Sequence, residues 1–111
     1  MLFINGSADS TTFYKGDMKN NQGYGSYFGT DEMLSHFSNW NNCNHKNIDT
    51  IPNFNRAENT FIIKNVHTNN NSLVPPIISY KVINGGHDWP GSSGTNCVDA
   101  SKEIACFFMD L

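Results

Sequence analysis

The 111-residue sequence is short of charge, long apolar runs and paired cysteine. Charged residues make up 15% of it, with Lys+Arg 7 against Asp+Glu 10 and a formal net charge of −3. The basic residues are scattered, so no nucleic-acid surface is expected. No apolar run approaches the roughly 20 residues that a membrane-spanning helix needs, and no membrane partner is expected. A charged, then apolar, then small leader pattern is also missing from the first residues, where Met1 leads straight into "LFING". The three cysteines, Cys43, Cys97 and Cys106, are an odd number, so at least one is unpaired within the chain. If one helix joined Cys97 to Cys106 they would lie about 13 Å apart, too far for a disulfide. Cys43 can pair with either. The Cys43–His45 spacing of "CNH" is unlike a zinc ligand pair, so neither metal nor cofactor is called for.

What is present is a folding composition, with 38% hydrophobic and 13% aromatic residues. Asparagine runs such as "NNCNHKN" and "HTNNN" favour turns over element interiors. "LFI" followed by "NGSAD" predicts a short strand, buried on both faces, that ends in a turn. Residues 10–27 have neither helical nor strand period and read as loop. "TDEMLSHFSNWNNC" predicts a helix capped by Thr30 or Asp31, with Met33, Leu34, Phe37 and Trp40 at helical spacing. Residues 48–59 read again as loop, then Thr60–Val66 and Ile77–Ile83 as strands. "VDASKEIACFFMDL" predicts a closing helix capped by Asp99. The stripe Phe37, Trp40, Ile104, Phe107 and Phe108 reads as core.

Strands interleaved with helices argue for α/β layering. With only two strands after it, the first strand lacks neighbours to bury both its faces. Open α/β enzyme domains often run to roughly 200–250 residues. Residues 1–111 are therefore expected to be the C-terminal portion of one larger α/β domain.

Two residues hold the expected topological address of a site. Asp9 follows the first strand, where open α/β sheets place ligand-contacting groups; an aspartate there also serves as a turn former. His87 follows the last strand within "INGGHDWPG", with glycines before it and Pro90–Gly91 fixing the turn after it. An acid and then a histidine, each beyond a strand's C-terminal end, match the last two members of an α/β-hydrolase triad, whose chain order is Ser, Asp or Glu, His. The nucleophile is missing: no Gly-x-Ser-x-Gly occurs. "GSYFG" holds Ser26 in the wrong place, and "GSSG" at 91–94 is one residue short. No oxyanion-hole segment of the His-Gly type is found either.

"FINGSADSTTFYKG", "SHFSNWNNC", "ISYKVINGGHDWPG" and "DASKEIACFF" together resemble the C-terminal half of esterases of the polyhydroxybutyrate depolymerase and feruloyl esterase type. The resemblance spans nearly the whole chain, most loosely over 44–76. It implies an α/β-hydrolase fold with a mostly parallel sheet flanked by helices, and serine-esterase chemistry on a polyester or an acylated polysaccharide. Asp9 would be the triad acid and His87 the general base. Trp89 would sit beside the site as a substrate-binding residue, or pack under the histidine loop; both stay open. The resemblance further implies an extracellular or periplasmic location and a missing N-terminal half of the same domain that carries the nucleophile and oxyanion hole.

The chain departs from that pattern at three places. Asn84 replaces a usual glycine, which its tolerance of left-handed backbone allows. Asp88 follows the histidine where an uncharged residue is usual, and a neighbouring carboxylate favours imidazolium. Cys43 stands where the family often has a disulfide cysteine, but 67–69 hold His67, Thr68 and Asn69 instead of its partner. The alternative reading is a non-catalytic remnant or binding protein on the same scaffold. Another α/β hydrolase, such as a peptidase, is the third.

Overall fold

The computed structural model describes residues 1–53, 59–92 and 98–111. In chain order the elements are β1 (Leu2–Gly6), α1 (Thr30–Trp40), β2 (His45–Ile51), β3 (Phe61–Thr68), β4 (Ile77–Ile83) and α2 (Ala100–Met109). The four strands form one sheet in the order β1-β4-β3-β2. β1 runs parallel to β4 with Leu2 opposite Ile78, whereas β3 is antiparallel to both its neighbours. The fold is therefore a small mixed α/β domain. The expected mostly parallel sheet is corrected to a mixed one, because β2, β3 and β4 follow one another as a meander, and consecutive strands joined by short connections must pair antiparallel.

Strand alternation sends successive side chains to opposite faces, and each face takes one helix. Phe3 stacks obliquely on Phe37 of α1, with ring centroids 6.4 Å apart. On the opposite face Tyr80 donates its hydroxyl to Glu103 of α2 at 2.6 Å. Burial there pushes the Tyr80 hydroxyl well above its usual range, and the Glu103 carboxylate adds to the rise. Ile62, Tyr80, Val82 and Val98 form the core on the α2 side, with Leu2, Ile4, Ile51 and Ile78 packed against them.

β1 is half-buried throughout rather than enclosed on both faces, since it is an edge strand. Ser7 N–H donates to Val82 and Ile78 N–H to Met1, both at 2.9 Å, so odd-numbered residues bond to β4. In a parallel ladder the even ones, Leu2 and Ile4, then turn their amides and carbonyls outward. Beside that open edge runs a groove of about 650 Å³ lined by Leu2, Ile4, Trp89, Ile104, Phe107 and Phe108 among others. Phe108, which lines it, is 66% exposed, and Trp40 at the end of α1 is 77% exposed. Both were expected in the core by spacing; helical period fixes a face but not whether the sheet reaches far enough to cover it.

Helix α1 is capped before either expected residue, one position ahead of Thr30 and two ahead of Asp31. Gly29 is the N-cap, its N–H donating to the Glu32 carboxylate at 3.4 Å, while Thr30 and Asp31 already lie in the first turn. Asp31 instead accepts the Tyr14 hydroxyl at 2.7 Å. Asp99 caps α2 as expected, accepting from Lys102 N–H at 3.1 Å. Because α2 starts at Ala100, no single helix joins Cys97 to Cys106. Cys97 and the last two residues of "GSSG" lie outside the described residues, and Cys43 and Cys106 are free thiols.

Where the resemblance expects a disulfide from Cys43, hydrogen bonds do the joining. The Asn69 side-chain amide donates to the carbonyls of Asn41 and Asn42 at 2.9 and 3.0 Å. It thereby ties the end of β3 to carbonyls just past the end of α1. Asn69→Ala is expected to cost about 1 kcal/mol, the net worth of a hydrogen bond, and to lower the thermal midpoint by about 5 °C. An unchanged melting curve would show that water replaces both bonds without loss.

Candidate active site

Because β1 and β4 are parallel neighbours, the loops leaving their C-terminal ends emerge side by side at one edge of the sheet. Two loops that follow distant stretches of sequence are then sewn together. Ser7 N–H reaches Val82, and Ala8 N–H reaches Gly85 at 2.9 Å. The Asn84 N–H donates to the Ser7 hydroxyl at 2.8 Å. Asn84 sits at φ 60, the left-handed conformation expected of it, and its side-chain amide holds the Asn59 carbonyl at 2.7 Å. The approach leaves no room for a side chain at Gly6, where a Cβ would stand 2.3 Å from the Gly85 oxygen.

The stitched loops bring Asp9 and His87 together across 78 positions, with Asp9 Oδ2 2.9 Å from His87 Nδ1. The carboxylate divides its work between its two oxygens. Oδ1 accepts the backbone N–H groups of Thr11 and Thr12, each at 2.8 Å, and Oδ2 faces the imidazole. Asp9 is thus both the turn former and the histidine's partner. The signal was in "DSTT", where backbone amides two and three residues beyond a carboxylate can fold back onto it. The residues that sequence reasoning missed are these threonine amides and the Ser7 hydroxyl.

Electrostatics keeps Asp9 ionised. Partial burial pushes its carboxyl upward, but the Thr12 amide, the His87 ring and the Thr11 amide outweigh it, and the net result lies below the usual carboxylate value. The Asp9 side chain is 11% exposed and that of His87 is 61%. A carboxylate can only accept, so Nδ1 of the neutral ring carries the proton and Nε2 is left with its lone pair. Among the described residues no group hydrogen-bonds Nε2, no serine hydroxyl reaches the ring, and Asp88 makes no ion pair with it. The arrangement can take a proton from a hydroxyl brought to Nε2 and return it later.

Behind the histidine the chain is anchored to α2. Ser92 N–H donates to the Trp89 carbonyl at 3.0 Å, with Pro90 and Gly91 at the central positions and Gly91 at φ 90. That is the type II turn which Pro-Gly favours. The Trp89 indole N–H donates to Ser101 on α2 at 3.0 Å, and its ring, 55% exposed, lines the groove beside β1. His87 does not line that groove. Among the described residues no three His, Cys, Asp or Glu side chains gather as a metal site would need, and no helix is long and apolar enough to cross a membrane. Compared with known proteins, the chain matches no family model, no curated protein and no solved structure.

Proposed function

We propose that this chain supplies the acid and base of a serine-type carboxylic-ester hydrolase of the polyhydroxybutyrate depolymerase and feruloyl esterase type, with an α/β-hydrolase fold completed by further polypeptide. The observation that carries the reading is the Asp9–His87 contact of 2.9 Å at the C-terminal sheet edge, with the His87 side chain exposed and Nε2 unpartnered among the described residues. A serine hydroxyl from a segment outside residues 1–111 gives its proton to Nε2 as its Oγ attacks the ester carbonyl. Asp9 stays ionised and stabilises the imidazolium. The imidazolium then protonates the departing alcohol, and water repeats the sequence on the acyl-enzyme. The open edge of β1 and the apolar groove beside it offer that segment a seat, continuing the parallel pairing already made with β4. Trp89, on the groove's rim, contacts the acyl group of a polyester or acylated polysaccharide. The same reading puts the protein outside the cytoplasm, where such polymers are met.

The decisive test is the reading frame upstream of the Met1 codon, followed by expression of whatever it encodes. An open frame carrying Gly-x-Ser-x-Gly after an apolar strand, whose product hydrolyses p-nitrophenyl acetate and loses that activity on His87→Ala, is the expected result. The 111 residues by themselves should do no better than their own His87→Ala variant. A stop codon close upstream, with translation starting at Met1, would leave His87 without a nucleophile and favour the non-catalytic scaffold.

A further inference from the structure

The loop between β1 and α1 has no regular structure, yet side-chain hydrogen bonds fasten it closely. At its centre Asp17 is buried, 5% exposed, and its carboxylate accepts the backbone N–H groups of Asn21 at 2.9 Å and Gln22 at 2.8 Å. Its own N–H donates to the Tyr27 carbonyl at 2.9 Å. Gln22 and Tyr27 are thereby held side by side, and the Tyr27 hydroxyl donates to the Gln22 side-chain oxygen. Both then reach back to the strip of chain that follows Asp9. Gln22 Nε2 donates to the Thr11 carbonyl at 3.0 Å and the Ser10 carbonyl at 3.4 Å. The Tyr27 hydroxyl accepts the Phe13 N–H at 2.9 Å.

Residues 10–13 are therefore gripped from two sides. Asp9 takes the N–H groups of Thr11 and Thr12; the Gln22–Tyr27 pair takes the carbonyls of Ser10 and Thr11 and the N–H of Phe13. A turn with loose outer groups would let the two threonine amides swing, and the carboxylate that bonds to them would swing as well. Geometric tolerance at such a site is small, because a triad acid works by holding one ring orientation and one tautomer.

We infer that Gln22 and Tyr27 are positioning residues for Asp9, acting through the backbone of residues 10–13 to keep Oδ2 on His87 Nδ1. The inference rests on reading Asp9 and His87 as acid and base, but its test needs no catalysis. Ring ¹⁵N spectra of the 111-residue chain at a pH where His87 is neutral give the ratio of the Nδ1–H to the Nε2–H tautomer. Wild type should be mainly Nδ1–H. Tyr27→Phe removes the hydroxyl that bridges Phe13 and Gln22. Gln22→Glu keeps shape and the acceptor for Tyr27, but turns an acceptor toward the Thr11 carbonyl.

Each change is expected to lower the Nδ1–H to Nε2–H ratio about threefold, the scale that one net hydrogen bond allows, and to speed hydrogen exchange at the Thr11 and Thr12 amides. A merely space-filling role would leave Gln22→Glu unchanged. If both variants fold and keep the wild-type ratio while Asp9→Asn shifts it, the positioning role is wrong and the dyad stands. If wild type itself is mainly Nε2–H, the dyad reading fails and the inference goes with it.

Discussion

On the proposed hydrolase reading, Asp9→Asn in a nucleophile-bearing protein is expected to lower kcat for ester hydrolysis about 10⁴-fold with the fold intact. The size of the effect follows from how the two carboxylate oxygens are used. Two backbone N–H groups converge on Oδ1, so an asparagine must turn its carbonyl oxygen there. Its amide nitrogen then faces His87 where Oδ2 stood. An amide nitrogen only donates, and Nδ1 must become an acceptor. The ring proton moves to Nε2, the atom that the proposed mechanism needs free to accept. More than a tenth of the wild-type rate in Asp9→Asn would remove Asp9 from its role.

The same residue sets a pH limit. With its folded-state pKa depressed, Asp9 contributes stability that is present above the ordinary carboxylate value, about 3.9, and is lost as pH falls through the lower folded value. Wild type should lose stability relative to Asp9→Asn on acidification below about pH 4. Parallel acid unfolding curves for the two proteins would contradict the assignment.

Gly6→Ala is expected to be strongly destabilising for the addition of a single methyl. The new Cβ would stand 2.3 Å from the Gly85 oxygen, 2.5 Å from the Gly86 oxygen and 2.6 Å from the Gly85 carbonyl carbon. All three are backbone atoms, so no rotamer change relieves the clash. The loops after β1 and β4 must part, which breaks the bonds from Ser7, Ala8 and Asn84 that hold them. Overpacking of this kind costs about 3 kcal/mol, or 10 °C and more in the thermal midpoint of a domain of about this size. Gly23→Ala is the control: its φ of +83 strains any side chain, but no atom lies within 4 Å of the added methyl. A Gly6→Ala protein that melts no lower than Gly23→Ala would show that the loops are not in close contact.

Legibility in the sequence followed burial. β3, β4 and α2 carry an apolar run or an apolar helical spacing with at least one buried anchor, and each was predicted within about two residues of its bounds. β2 was read as turn and loop because "HKNIDTI" is exposed at all but its last residue. An outer strand held by backbone bonds to one neighbour leaves no hydrophobic pattern, and asparagine on both sides of it argues for a turn. The meeting of Asp9 and His87 was legible, since strand ends and chain order are sequence properties. Its supports were not: Ser7, Gln22 and Tyr27 act through single hydrogen bonds inside loops, which have no period to detect.

Asp9 and His87 are neighbours in space but enclose most of the chain between them. The polypeptide leaves the site after Asp9, builds α1 and the meander, and returns on β4, the strand that already pairs with β1. This excursion closes on itself at a fixed point, so changes in its outer reaches do not move its ends. Lengthening an exposed tip such as 71–73 costs only the slow logarithmic entropy of a larger loop, about 0.6 kcal/mol for each doubling of a flexible loop. Descendants of this chain can therefore differ widely in the size of the meander's outer turns while the Asp9–His87 geometry stays the same. Variation next to Asp9 has no such freedom: Thr11 and Thr12 give their N–H groups to the Asp9 carboxylate itself.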